Sequence, residues 1–111
     1  MRQLEKNFKA LADKNRLRIL KLLEHKNMCV CELAAIIGIA QPSISRHLKK
    51  LQNSGLLTSE QDGLWTNYKL DGTTPYQKQL LQNLTHWLND DTQIKKDLEK
   101  AQKTDRLKIC K

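Results

Sequence analysis

Apolar residues recur along this chain mainly at helical spacing. Leu4, Phe8 and Leu11 fall at i, i+4 and i+7 and predict a helix over residues 4–12. One narrow apolar stripe cannot form a core, so this helix needs another helix or a partner subunit. Asp13 and Asn15 are cap residues for a second helix to about residue 25. Leu17, Ile19, Leu20, Leu22 and Leu23 make it apolar over a wide face, which marks it as central. Lys14, Arg16, Arg18 and Lys21 fill the remainder and read as solvated or phosphate-facing. Residues 29–37 form a short apolar helix with its approach, stopped by Gly38, which suits a left-handed C-terminal position. A longer helix follows over residues 41–53, closed by Ser54 and Gly55. Short helix, glycine turn, longer helix is the spacing of a helix-turn-helix.

The period then changes. Residues 56–60 and 64–70 read as strands around a turn at 61–63, with Asp62-Gly63 supporting a hairpin. A hairpin directly after such a helix is a wing. Trp65 and Tyr68 on it read as core residues rather than base-stacking ones. Residues 71–75 break the chain. Helical spacing returns over 76–89, with Leu80, Leu84, Trp87 and Leu88 on one face and Leu81 beside them. Asn89, Asp90, Asp91 and Thr92 are cap candidates for a last helix bearing Ile94, Leu98 and Ala101. The pattern leaves open whether these are one helix or two. Residues 104–111 are polar and charged. The division expected is a winged helix-turn-helix and dimerisation domain over 1–103 and a polar tail over 104–111 carrying Cys110. The fold class is mainly α with a β-hairpin wing.

Charge sharpens this picture. The 111 residues carry a net charge of +8, which points to a polyanionic partner, most often nucleic acid, although a lysine-rich solubilising surface gives the same balance. Residues 41–53 decide between them. Ile44, Leu48 and Leu51 share one face, so Pro42, Arg46, Lys49, Lys50 and Asn53 point away, with Ser43 and Ser45 on the flanks. That outward face has no acid. In a helix-turn-helix the N-terminal part of the second helix reaches bases. Gln41, Ser43, Ser45 and Arg46 are therefore expected on bases or nearby phosphates of double-stranded DNA, and Lys49 and Lys50 on the backbone. The wing carries Glu60 and Asp62 near its tip, which repel phosphate. It either contacts DNA weakly through Thr66, Asn67 or Lys69 or is structural.

Three cysteines make a poor disulfide framework, and in a cytosolic setting paired cysteines are more often metal-binding or redox-active. The expected location is cytoplasmic: the chain opens on charge, and no apolar run approaches the length of a membrane span. There is no Gly-rich phosphate loop, nucleophile–base pair or carboxylate pair that would suggest an enzyme, and no cofactor is required.

Met28-Cys29-Val30-Cys31-Glu32-Leu33, Gln41-Pro42-Ser43-Ile44-Ser45-Arg46-His47-Leu48, Ser54-Gly55-Leu56-Leu57 and Gly63 to Leu70 together resemble the ArsR/SmtB family of winged-helix metalloregulatory repressors. The cysteine segment points to the arsenic- and antimony-responsive type, and the resemblance runs from about residue 4 to residue 87. It implies a homodimer, joined through the first helix and that over 76–89, that blocks an operator until an inducer binds. It also implies As(III) or Sb(III) as that inducer. Two departures stand out. Ala34 occupies a position where the family often has a third cysteine, and Ala40 one where it often has a capping serine.

The soft thiolates of Cys29 and Cys31 select thiophilic ions, and a helix N-terminus favours the thiolate form. Residues two apart on a regular helix point about 200° apart, whereas in extended backbone they share a face. The pair is therefore expected to converge only if the helix start unwinds, so that an inducer would distort the helix positioning residues 41–53. Trivalent arsenic prefers three sulfurs, and Cys110 is the remaining thiol, on a tail that spans at most about 25 Å from Thr104. It could come from the same or the other subunit; the alternatives are a two-thiol site or a sulfur from a cellular thiol. Cadmium or zinc would prefer four ligands, to which His25 or His47 could contribute, although a lone His near a core is more often structural; His86 with Asp90 or Asp91 does not match the family's dimer-helix zinc site. A redox-responsive repressor, or an effector-insensitive DNA-binding protein with inert buried thiols, are the other readings.

Overall fold

The computed structural model describes residues 1–110. Seven helices and one hairpin follow in order: α1 Arg2–Leu11, α2 Lys14–Leu23, α3 Val30–Ile37, α4 Gln41–Asn53, β1 Leu57–Asp62, β2 Trp65–Leu70, α5 Pro75–His86, α6 Thr92–Lys103 and α7 Arg106–Ile109. This is a winged helix-turn-helix. The core lies where α2, α3, α4 and the base of the wing meet, around Ile19, Leu20, Leu22, Leu33, Ile44, Leu48, Leu51 and Leu56. The expected stripe of α4 is thus the buried one.

Local chemistry sets the boundaries. Asp13 caps α2, its carboxylate accepting from the Asn15 and Arg16 amides at 2.8 and 3.0 Å. Gly38 ends α3 at φ 83°. Thr74 and Gln77 form a capping box on α5. The buried Gln77 amide also donates to the Ser54 carbonyl at 2.8 Å, and Gln3 of α1 donates to the same oxygen at 3.1 Å. That oxygen ties the starts of α1 and α5 to the end of α4. Gly55, at φ 78°, sits against the Gln77 side chain, where a Cβ would collide.

The hairpin is antiparallel, with Leu57 opposite Leu70 and Asp62 opposite Trp65. Its turn is therefore Gly63-Leu64, one step later than the expected 61–63. Gly63, with φ 60°, supplies the conformation that a two-residue hairpin turn needs at its first position. Leu64 stands at the wing tip, 93% exposed. Tyr68 packs on the core as expected, but Trp65 does not: it lies half-buried outside it.

The largest departure concerns the cations of α2. Of the four expected on the solvated side, only Lys14 is exposed. Arg16 donates to the Ala10 and Lys9 carbonyls at 2.7 and 3.2 Å and so closes the end of α1. Lys21, 1% exposed, donates to the Leu84 carbonyl at 2.7 Å and to Asn89 Oδ1 at 3.0 Å, and pairs with Glu24 at 2.8 Å. It satisfies the C-terminal end of α5, and the chain turns there through Leu88 at φ 67°. The region left open as one helix or two is therefore two, with Asp91 capping α6. Arg18 forms a bidentate pair with Asp97 of α6 at 2.8 and 2.9 Å and reaches the Ile37 carbonyl at 3.2 Å. That fork fastens α6 across α2 and the end of α3, and it raises the affinity of the guanidinium for its proton.

The stripe of α1 divides. Ala10 is buried, whereas Phe8 is 54% exposed and, with Met1, Leu4 and Ala12, lines an open apolar groove. Tyr76 and Trp87 of the α5 region are also about half exposed. Among the described residues no helix is long and apolar enough to cross a membrane.

Removing the Asp97 carboxylate would strand a largely buried guanidinium. Asp97→Ala is expected to destabilise the fold by about 3 kcal/mol in urea unfolding, a far larger loss than a surface ion pair would give.

Candidate metalloid site and DNA-reading helix

The sensor segment begins before its first thiol. Met28 exchanges backbone hydrogen bonds with Tyr68 of β2, at 3.2 and 2.8 Å, so it is extended and fixed to the wing. Cys29 continues extended at φ −92° and ψ 171° and serves as the N-cap of α3. Glu32 accepts from the Cys29 amide at 3.1 Å and so holds the cap. Cys31 lies one residue inside the helix. The step from extended to helical backbone falls between the two cysteines, and the expected divergence of a regular helix does not arise.

The third thiol arrives from the opposite end of the chain. Asp105 caps the one-turn helix α7, accepting from the Leu107 amide at 2.9 Å, and α7 packs on α3. Cys110 is its C-cap, its amide donating to the Arg106 carbonyl at 2.8 Å. The Sγ atoms of Cys29, Cys31 and Cys110 all lie within 4.8 Å of one another. Those of Cys31 and Cys110 are in direct contact, with Cα atoms 5.9 Å apart. Cys29 is buried and the other two are half-buried. This convergence lies within one protomer, which corrects the expected need to unwind α3. Among the described residues it is the one group of three potential ligands. His25 and His86 are exposed and stand apart from it, and His47 is engaged elsewhere.

A guanidinium closes the site on the wing side. Arg106 donates to Asp62 Oδ2 and Asn67 Oδ1, both at 2.7 Å, lies 4.4 Å above the Trp65 ring, and is 3.8 Å from the Glu32 carboxylate. The Arg106 hydrogen bond holds the Asp62 carboxyl below the usual carboxylate range. Glu60 pairs with Lys69 at 3.4 Å. Both wing acids are thus matched by cations within the chain. Sequence reasoning missed Glu32 and Arg106. Cys29-x-x-Glu32 has capping-box spacing and was legible; nothing local marks Arg106.

On α4, Gln41, Ser45, Arg46, Lys49 and Lys50 are exposed and Ser43 is half-buried, with Arg46 donating to the Ser43 hydroxyl at 3.1 Å. Ala40 offers no side-chain acceptor at the N-cap. Pro42 stands in the first turn, and its missing N–H removes one of the donors a cap would satisfy.

His47 faces inward from α4. Arg16 donates to its Nδ1 at 3.3 Å, a nitrogen able to accept only in neutral imidazole. Burial is the main cause that lowers its affinity for a proton. Asp13 opposes the shift, and Arg16, Lys50 and Arg46 add to it. Burial alone would raise the Asp13 carboxyl, but the hydrogen bond from the Arg16 amide, the Arg16 charge and the Asn15 amide outweigh it and hold it below the ordinary value.

Comparison with known proteins places these features in context. A profile of the bacterial regulatory protein arsR family matches residues 13–59. The chain is 46% identical over 69 residues to the arsenical resistance operon repressor of Escherichia coli K12, an alignment spanning 61% of this chain and 59% of that protein. It is 34% identical over 98 residues to the arsenic resistance transcriptional regulator ArsR2 of Pseudomonas putida KT2440, spanning 83% and 85%. The homodimeric winged helix-turn-helix domain of Mb0332 from Mycobacterium bovis, a possible ArsR-family regulator, superposes with a TM-score of 0.66 at 26% identity, covering 76% of this chain and 73% of that one.

Because folded His47 holds its proton less readily than the unfolded value of 6.5, unfolding takes up a proton below that pH. Stability from this group is full above 6.5 and falls as pH drops through the folded value. The urea midpoint of the wild type is expected to fall between about pH 7 and about pH 5.5, and His47→Gln to flatten that decline.

Proposed function

The chain belongs to the ArsR family of bacterial regulatory proteins, and from that premise we propose that it is a metalloid-responsive repressor. Members of this family are transcriptional regulators, not enzymes. In this reading a homodimer binds operator DNA, and As(III) or Sb(III), captured by Cys29, Cys31 and Cys110, releases it.

The observation that carries the reading is the convergence of three sulfurs within 4.8 Å at the start of the helix preceding α4. Three soft donors suit a thiophilic trivalent ion better than zinc, which favours four ligands. Cys110 stands in for the missing cysteine at Ala34. The apolar groove of Met1, Leu4, Phe8 and Ala12 and the exposed Tyr76 and Trp87 supply surface for a second copy. Dimerisation would present two α4 helices, each offering Gln41, Ser43, Ser45 and Arg46 to bases and Lys49 and Lys50 to phosphates. The cytoplasm, where thiols stay reduced, is the compartment this chemistry needs.

A second reading has its own observation. The contact of Cys31 with Cys110 suits a redox switch, in which a hydroperoxide takes two electrons and two protons from the pair and leaves a disulfide. Peroxide-induced release, reversed by a dithiol, would identify it.

Arsenite titrated into reduced protein on labelled upstream DNA tests the leading reading. Wild type should release, and Cys29→Ser with Cys31→Ser should not. Cys110→Ser should need about tenfold more arsenite, a coupling loss of about 1.4 kcal/mol. Release that ignores all three substitutions would sink the assignment.

A further inference from the structure

The wing and the thiol site are joined at two points. Met28, adjacent to Cys29, is paired by backbone to Tyr68 of β2. Arg106, one helical turn before Cys110, touches the end of β1 through Asp62 and the middle of β2 through Asn67, and covers Trp65 directly opposite Asp62. The same guanidinium lies beside Glu32, whose Oε1 accepts from the Cys29 amide. The first joint is a backbone bridge that does not involve the tail. The second depends on α7 being docked, and α7 carries a thiol of the proposed site.

We propose that Arg106 is a positioning residue that couples the filled thiol site to the wing. The inference rests on the metalloid reading above. Capture of the ion by Cys110 holds α7 against α3, and Arg106 then holds Asp62, Asn67 and Trp65 in the arrangement seen here. Asn67 is one of the polar side chains the wing could offer to DNA, and in this arrangement its Oδ1 is occupied. The docked tail thereby favours a wing withdrawn from the operator, and a freed tail releases it. An ion that binds only the docked form shifts the balance toward it. By reciprocity, operator DNA weakens capture of the ion by the same factor.

The test uses full-length reduced protein, with arsenite as the probe, in wild type, Arg106→Gln, Asp62→Asn and the double variant. Operator affinity is measured with and without arsenite, and arsenite capture by thiolate–arsenic absorbance. A Trp87→Phe background isolates Trp65 emission. Arg106→Gln should bind operator without arsenite as tightly as wild type or tighter, still capture arsenite, and need at least about fivefold more of it for half-release. Asp62→Asn should raise the arsenite requirement similarly, and the double variant should add little. Arsenite should shift Trp65 emission in wild type and not in Arg106→Gln.

Weaker operator binding by Arg106→Gln without arsenite would make the residue a prop for the DNA-bound wing and overturn the proposal. So would wild-type release and a wild-type Trp65 response in both single variants. If wild type itself captures no arsenite, the metalloid reading fails and this inference with it. If wild type captures and releases normally while the variants match it, only the coupling through Arg106 fails.

Discussion

One change of backbone conformation, between Cys29 and Cys31, underlies the candidate site. Two thiols separated by one residue diverge on a helix and share a face on a strand. Here neither state applies to both: Cys29 is extended, paired through its neighbour to β2, while Cys31 is inside α3. The strand register of Met28 with Tyr68 fixes the first conformation, and the Glu32 carboxylate on the Cys29 amide fixes the start of the second. Both constraints lie outside the cysteines. The thiols therefore lie together in the fold with α3 intact.

Delivery of the third thiol depends on charge buried elsewhere. Arg18 grips Asp97 and the Ile37 carbonyl, setting α6 against α2 and the end of α3. Lys21 satisfies the end of α5 and so defines the break that lets α6 begin. Once α6 is fixed, residues 104–105 carry the chain only a short way before α7 reaches the N-terminal end of α3. A buried pair such as Arg18–Asp97 brings little net stability after desolvation. What it brings here is geometry, because a hydrophobic seam could slide by a turn and a bidentate fork cannot.

Much of this was legible beforehand. Periodicity placed α1 to α4 to within a residue or two, Asp13 and Gly38 marked real caps, and the acid-free outer face of α4 is exposed as expected. The misreadings have a common physical cause. Arg16, Arg18 and Lys21 sit on α2 at positions that look solvent-facing when only adjacent residues are considered. Their partners are the end of α1, Asp97 and the end of α5, the last two more than sixty positions away. Arg106 was invisible for the same reason. Trp65 reads as core rather than base-stacking in the sequence, whereas in the fold a guanidinium covers it from outside. Local pattern reports which face is apolar; it does not report which distant element arrives with a charge to bury.

The electrostatics of the wing follow from that arrival. Read from sequence, Glu60 and Asp62 argue against a wing near phosphate. In the fold each acid has a cation, Lys69 for one and Arg106 for the other, but the two pairs differ in kind. Lys69 lies on the partner strand of Glu60 and stays with it wherever the wing goes. Arg106 belongs to a separate segment, α7, and in the proposed coupling it parts from Asp62 when α7 undocks. With α7 docked, Asp62 is matched within the chain. In the proposed coupling, undocking of α7 frees Asn67 and Asp62 from Arg106 together, and the tail no longer holds the wing. The net charge of the protein is identical in the two states, so long-range attraction to an operator is unchanged. The difference lies in whether Asn67 is engaged and the wing is held. A small ion that acts on such a difference need not compete with the whole basic surface of the protein. It has only to outweigh the local advantage that DNA gains from a freed wing.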